Sequence, residues 1–135
     1  MRVFLDTNVW LSAVVFPGLC AELLLALDAA GHRLLSSDWI RHEAHEVMQR
    51  KFTRHAAALE RFDTLWACAE VIADVTEPAD DPDARLVAAA IAAGADVFVT
   101  GDQRVLGWST PGTMAIVSPR QAWGMLLMPP CPGAA

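Results

Sequence analysis

The sequence predicts an α/β domain on a mainly parallel sheet. Three observations carry that prediction: apolar runs of strand length at 3–5, 34–35 and 97–99, longer segments between them with apolar residues at helical spacing, and Gly or Pro at the junctions. Residues 2–6 form the first strand, a buried run of Val3, Phe4 and Leu5. A helix over about 8–15 follows, and Pro17-Gly18 breaks it. The second helix, about 19–30, puts Leu23, Leu24 and Leu27 on one face and stops at Gly31.

A short strand spans 33–36, and Ser37 or Asp38 caps the next helix, about 38–51. Its apolar stripe is Ile40, Ala44, Val47, Met48 and the stem of Lys51. A further helix, about 54–68, carries Ala58, Leu59, Phe62, Leu65 and Trp66, and leads to a strand over 70–73. Glu77-Pro78-Ala79-Asp80-Asp81-Pro82 is a loop, with Pro82 suited to a first helical position. The helix over about 83–93 ends at Gly94, and strands follow at 96–100 and 115–117. Ser118-Pro119 opens a last helix reaching Leu127. The expectation is one domain over 1–127 and a disordered tail over 128–135.

With 135 residues the chain is long enough for one core and short for two. No apolar run approaches the roughly 20 residues that span a bilayer, so no membrane association is expected. After Met1-Arg2 the chain enters a strand, without the apolar stretch of a signal peptide. Cys20, Cys68 and Cys131 are odd in number and lack paired spacing, which predicts reduced thiols and a cytoplasmic protein. The formal net charge of −6 argues against simple electrostatic binding of nucleic acid. The charges are unevenly placed, however. Glu77, Asp80, Asp81 and Asp83 crowd together, while Arg50, Lys51 and Arg54 form a small basic strip.

Four carboxylates stand at the rims of predicted core elements: Asp6, Glu43, Asp83 and Asp102. Like charges packed at a core edge are costly unless a cation sits among them, which points to a divalent-metal site. Asp6 and Asp102 lie just past strand ends, where parallel sheets bind ligands. Asp6 is also a plain helix N-cap, and Asp102 a plain turn residue after Gly101. Glu43 flanks the apolar stripe of its helix, three residues after Ile40 and four before Val47, either as a ligand or as an edge acid reaching water. Asp83 sits in a first helical turn, favourable to the helix dipole, and on the core side. Asp81 is the better capping candidate of the two.

His42-Glu43-Ala44-His45 has an i, i+3 spacing, one short of the i, i+4 pair of zinc proteases, so these histidines read as surface residues. No Gly-rich phosphate loop and no Gly-x-Ser-x-Gly elbow occurs. The single lysine, Lys51, follows no strand, which weakens acidic phosphotransfer sites built around a lysine.

The opening Val3-Phe4-Leu5-Asp6-Thr7-Asn8-Val9 resembles that of PIN-domain ribonucleases, including the toxins of toxin–antitoxin pairs. The likeness continues through Leu35-Ser36-Ser37 with Glu43, then Asp83-Ala84-Arg85-Leu86 and Val99-Thr100-Gly101-Asp102. Phe16-Pro17-Gly18 and Asp81-Pro82-Asp83 look like one toxin subgroup. The resemblance implies a three-layer α/β/α domain with strand order 3-2-1-4-5. It also implies Mg²⁺- or Mn²⁺-dependent cleavage of RNA by the quartet Asp6, Glu43, Asp83 and Asp102. Asn8 and Thr100 match polar positions that orient the quartet, and Asp81 is an additional acid. A homodimer and an antitoxin partner are implied too. A non-catalytic module of the same fold, binding RNA or protein, is the alternative. For gripping RNA, the sequence offers Arg50, Lys51 and Arg54, or else Arg85 and Arg104 beside the two C-terminal acids.

Overall fold

The computed structural model describes residues 1–108, 112 and 114–128. The strands β1 (Arg2–Leu5), β2 (Arg33–Ser37), β3 (Glu70–Ile72), β4 (Val97–Val99) and β5 (Ala115–Val117) form a five-stranded parallel sheet. Its order, β3-β2-β1-β4-β5, is the one the resemblance implies. The helices are α1 (Thr7–Val15), α2 (Leu19–Ala29), α3 (Asp38–Lys51), α4 (Ala56–Trp66), α5 (Pro82–Ala92), α6 (Gln103–Leu106) and α7 (Pro119–Leu126).

Local chemistry explains most boundaries. Ser37 accepts from the Ile40 N–H to start α3, and Asp81 from the Ala84 N–H, with Pro82 at the first position, to start α5. A reciprocal Ser118–Gln121 capping box opens α7. Gly31 (φ 85°) and Gly94 (φ 74°) end α2 and α5 in the left-handed region, where a Cβ would be strained. Two expectations need correction. The four-residue α6 was not anticipated, because Asp102 reads equally well as a turn residue. Lys51 does not continue the α3 stripe: Ile40, Ala44 and Met48 are buried, Lys51 is exposed, and the half-buried Phe52 covers the core there instead. The tail beyond Met128 lies outside the described residues.

From β1 the chain steps outward through β2 to β3, then returns past β1 to β4. Right-handed crossovers therefore set α1–α4 on one face and α5 and α6 on the other. α1 packs against α2, α3 and α4, and α7 closes on α2. The core runs through both layers. Phe4 stacks on its register partner Phe98 with ring centroids 5.3 Å apart, and Trp10 meets Phe62 edge-on at 5.5 Å. Each such burial contributes about 2–3 kcal/mol. Among the described residues no single helix is long and apolar enough to cross a membrane.

The two edges of the sheet differ in charge. At the amino edge, Arg2 and Arg33 both pair with Glu70, Arg2 at 2.7 Å, and these guanidinium groups hold the Glu70 carboxyl below its ordinary range. At the carboxyl edge the acids are in excess. Between β1 and β4, whose following connections leave in opposite directions, that edge opens into a crevice.

Candidate active site

Asp6 is set by the sheet itself. Its N–H donates to the Val99 carbonyl, which carries the β1–β4 pairing one residue past the strand. Its side chain then caps α1, accepting from the Thr7 N–H at 2.7 Å. The capping and site readings of Asp6 are thus compatible, because one oxygen serves the helix and the other faces β4. That second oxygen accepts from the Thr100 hydroxyl at 2.8 Å and from the Asn8 amide at 3.3 Å.

Thr100 and Asn8 tie the two strand ends together. The Thr100 hydroxyl also accepts from the Asp102 N–H at 3.0 Å, which fixes Asp102 relative to Asp6. The Asn8 carbonyl oxygen accepts from the Gly101 N–H at 2.9 Å. Asp102 in turn caps α6, accepting from the Arg104 N–H at 2.8 Å. Among the described residues the buried Thr7 hydroxyl, next in the chain to Asp6, has no hydrogen-bond partner.

The electrostatics show which acids converge. Asp6 is 5 % exposed, and its carboxyl is pushed up to about 6 by burial, with the Asp83 and Glu43 charges adding to it against the Thr100 and Thr7 hydrogen bonds. Burial also raises Asp83, helped by the Asp102 and Asp81 charges and opposed by Arg104. Asp6 thus feels Asp83 and Glu43, Asp83 feels Asp102, and the Thr100 hydroxyl joins Asp6 to Asp102 across 96 residues of sequence. Asp81 behaves differently. The Ala84 N–H and the Arg104 guanidinium hold it below its ordinary value, so it is a cap and an ion-pair partner.

Arg104 is the cation of this rim. It bridges Asp81 and Asp83, the latter at 3.0 Å, and lies over the Trp108 ring at 4.9 Å. Arg85 is turned elsewhere, donating to the Pro78 and Ala79 carbonyls and resting over Trp39. The strip Arg50, Lys51 and Arg54 is exposed at the far end of α3 and is not brought to the acids. Helical rise puts Arg50 about 10 Å beyond Glu43. His42 is exposed, and His45 pairs with Asp63 at 2.7 Å against Phe62, so neither joins the acids.

Among the described residues no three His, Cys, Asp or Glu side chains are drawn into a ready-made metal cage. The chemistry of the donors nevertheless fits a hard divalent cation. All are carboxylate oxygens, burial with a smaller push from the neighbouring charges keeps a proton on Asp6 to about pH 6, and a guanidinium already sits among them. Beside them lies an open cavity of about 530 Å³, lined by Asn8, Ser12, Cys20, Gly101, Asp102 and neighbouring residues.

Sequence reasoning overlooked how Arg104 pairs. The signal was its place two residues after Asp102, in the first turn of a segment closed by Gly107. A family model described as PIN domain matches residues 2–104. No curated protein matches the chain closely enough to set beside it.

Proposed function

Because the chain belongs to the PIN-domain family, whose members are generally nucleases using divalent metal ions, we propose that it is a Mg²⁺- or Mn²⁺-dependent endoribonuclease. The observation that carries the reading is the coupling of Asp6 to Asp83 and Glu43, and of Asp83 to Asp102, at the crevice between β1 and β4. Asp6, Asp83 and Asp102 would hold the cation, with Glu43 at its flank. Bound there, it supplies Lewis acidity toward a phosphodiester oxygen and acidifies a water.

The chain's own groups do the rest. Thr7, Asn8 and Thr100 hold the Asp6 carboxylate in one orientation, and an oriented carboxylate loses little freedom when a ligand arrives. Glu43 is half-buried and pairs with no cation among the described residues, which leaves it free to take a proton from water. The cavity beside Asn8 and Asp102 has room for a nucleotide next to the cut. Hydrolysis by an activated water would leave a 5′-phosphate and a 3′-hydroxyl.

Incubating purified protein with a mixed RNA pool and with matched DNA, with and without Mn²⁺, tests this directly. Mn²⁺-dependent cleavage of RNA is the expected outcome. RNA binding without cleavage would favour the alternative, a non-catalytic RNA- or protein-binding module. That alternative draws its support from the lack of a ready-made metal cage among the described residues.

The reading extends to a toxin role with a cognate antitoxin and to a homodimer. The toxin role rests on the likeness of Phe16-Pro17-Gly18 and Asp81-Pro82-Asp83 to one subgroup. For association, the support is an apolar groove of about 460 Å³ between α1, α2 and α4, with Leu25 on its wall 60 % exposed. Most of the other large apolar residues of α2 and α4 are spent on the core, Leu23, Leu24, Leu27 and Phe62 among them. A monomer mass that stays constant with concentration in light scattering would remove the homodimer.

RNA grip at a distance falls to Arg50, Lys51 and Arg54. Arg50 pairs only loosely with Glu46, at 3.9 Å on an exposed face. The double variant Arg50→Gln/Arg54→Gln should weaken RNA binding across all sequences and reduce the salt-dependence slope by about one to two. Mn²⁺ binding should be unaffected. An unchanged slope would show that RNA does not reach the end of α3.

A further inference from the structure

We infer that Arg104 is a movable counter-cation, which pairs with Asp83 in the metal-free protein and passes to a phosphate of the RNA strand when a divalent cation takes over that carboxylate. This deepens the proposed function and rests on it. The geometry is that of a pivot. One guanidinium nitrogen holds Asp83 Oδ2 at 3.0 Å and the other holds Asp81. The two acids are not equivalent. Asp81 is occupied as the cap of α5 through the Ala84 N–H, while Asp83 belongs to the rim that couples to Asp6 and Asp102.

A cation entering between Asp6, Asp83 and Asp102 therefore competes with Arg104 for Asp83 alone. The ion pair it must displace is half exposed, hence weak and screened by salt. Loss of that pair does not set the side chain adrift, because Asp81 and the Trp108 ring still hold it at the rim. The backbone of Arg104 is meanwhile anchored to Asp102. The freed Nη1 donors face the site while Nη2 stays on Asp81, so one side of the planar guanidinium is offered to a phosphate oxygen.

This also answers a difficulty set by charge. A chain of net charge −6 must bring a polyanion up to four carboxylates. Arg85 is directed elsewhere, its Nη1 donating to two backbone carbonyls and its guanidinium face lying over Trp39. Among the described residues Arg104 is the cation paired with the acidic rim.

Two effects of opposite sign follow from Arg104→Gln. The affinity for Mn²⁺, measured by calorimetry without RNA, should rise about twofold to fivefold, because a competitor for Asp83 is gone. Cleavage efficiency should fall about tenfold or more, mostly through KM, and the salt slope for RNA binding in Ca²⁺ should drop by about one. A purely structural role would not tighten Mn²⁺ while loosening RNA. Arg104→Lys keeps the charge but not the fork, and should restore the salt slope with only part of the efficiency. It also serves as the readout if the Gln variant is poorly folded by circular dichroism.

Equal or weaker Mn²⁺ affinity in Arg104→Gln, with the natural protein binding Mn²⁺, would overturn the role of Arg104 alone. If neither protein binds Mn²⁺ and neither cleaves RNA, the metal-nuclease reading falls and this inference with it. Binding by the variant where the natural protein shows none would support the competition in its strongest form.

Discussion

Asp6→Asn should abolish RNA cleavage, lowering kcat/KM by at least about 10³-fold, while the metal-free protein at pH 8 becomes no less stable. Both effects come from one position. The amide oxygen can still accept from the Thr7 N–H, so α1 keeps its cap. The amide nitrogen, however, faces the Thr100 hydroxyl and the Asn8 amide, both of which now donate to the carboxylate. Those two contacts weaken, and the cost offsets part of what is gained by removing a buried charge. Asp83→Asn and Asp102→Asn should also inactivate. Asp81→Asn should instead act through stability, by weakening the cap of α5 and its hold on Arg104. Cleavage assays with paired thermal melts check all four. Full activity of Asp6→Asn at saturating Mn²⁺ would sink the assignment.

The second large effect is a stabilisation by Mn²⁺ that depends on pH. The Asp6 carboxyl rises from 3.8 to about 6 on folding. As pH increases from 3.8 to 6, the unfolded chain releases this proton first, so the folded state binds more protons and loses stability across that window. Above pH 6 the penalty is complete, on the order of 3 kcal/mol. A divalent cation reverses it by favouring the ionised form. Mn²⁺ at about 100 times its Kd should therefore add about 2.7 kcal/mol at pH 7.5, or several degrees of Tm. At pH 4.5, where the carboxyl keeps its proton, the shift should nearly vanish. Asp6→Asn should lose both the Mn²⁺ shift and the pH-dependent decline. A Tm at pH 7.5 that ignores millimolar Mn²⁺ would remove the main support for a metal site.

Several particulars show what could be read before folding. Ser37, Asp81 and Ser118 announce helix starts because capping is a contact between residues two or three apart. The strands at 3–5 and 97–99 are legible because burial on both faces leaves an unbroken apolar run. Lys51 misled because a helical period does not say where the helix stops, and Phe52 took the place expected of it. The short α6 escaped because four residues are too few for a period to show.

By itself the sequence determined which acids stand at element ends, since position relative to an apolar run is a local property. Only the tertiary structure decided that they converge. Asp6 and Thr100 meet across 94 residues because β1 pairs with β4 in the register Leu5↔Val99, and a shift of one residue would turn both side chains to opposite faces. The place of Arg104 has the same origin. No spacing in the chain links it to Asp81, yet the return of the chain from β3 to β4 carries α5 and α6 to one rim, where a guanidinium can reach both acids. Long-range hydrogen bonds and ion pairs are set by strand order and register, and those follow from how the whole core packs.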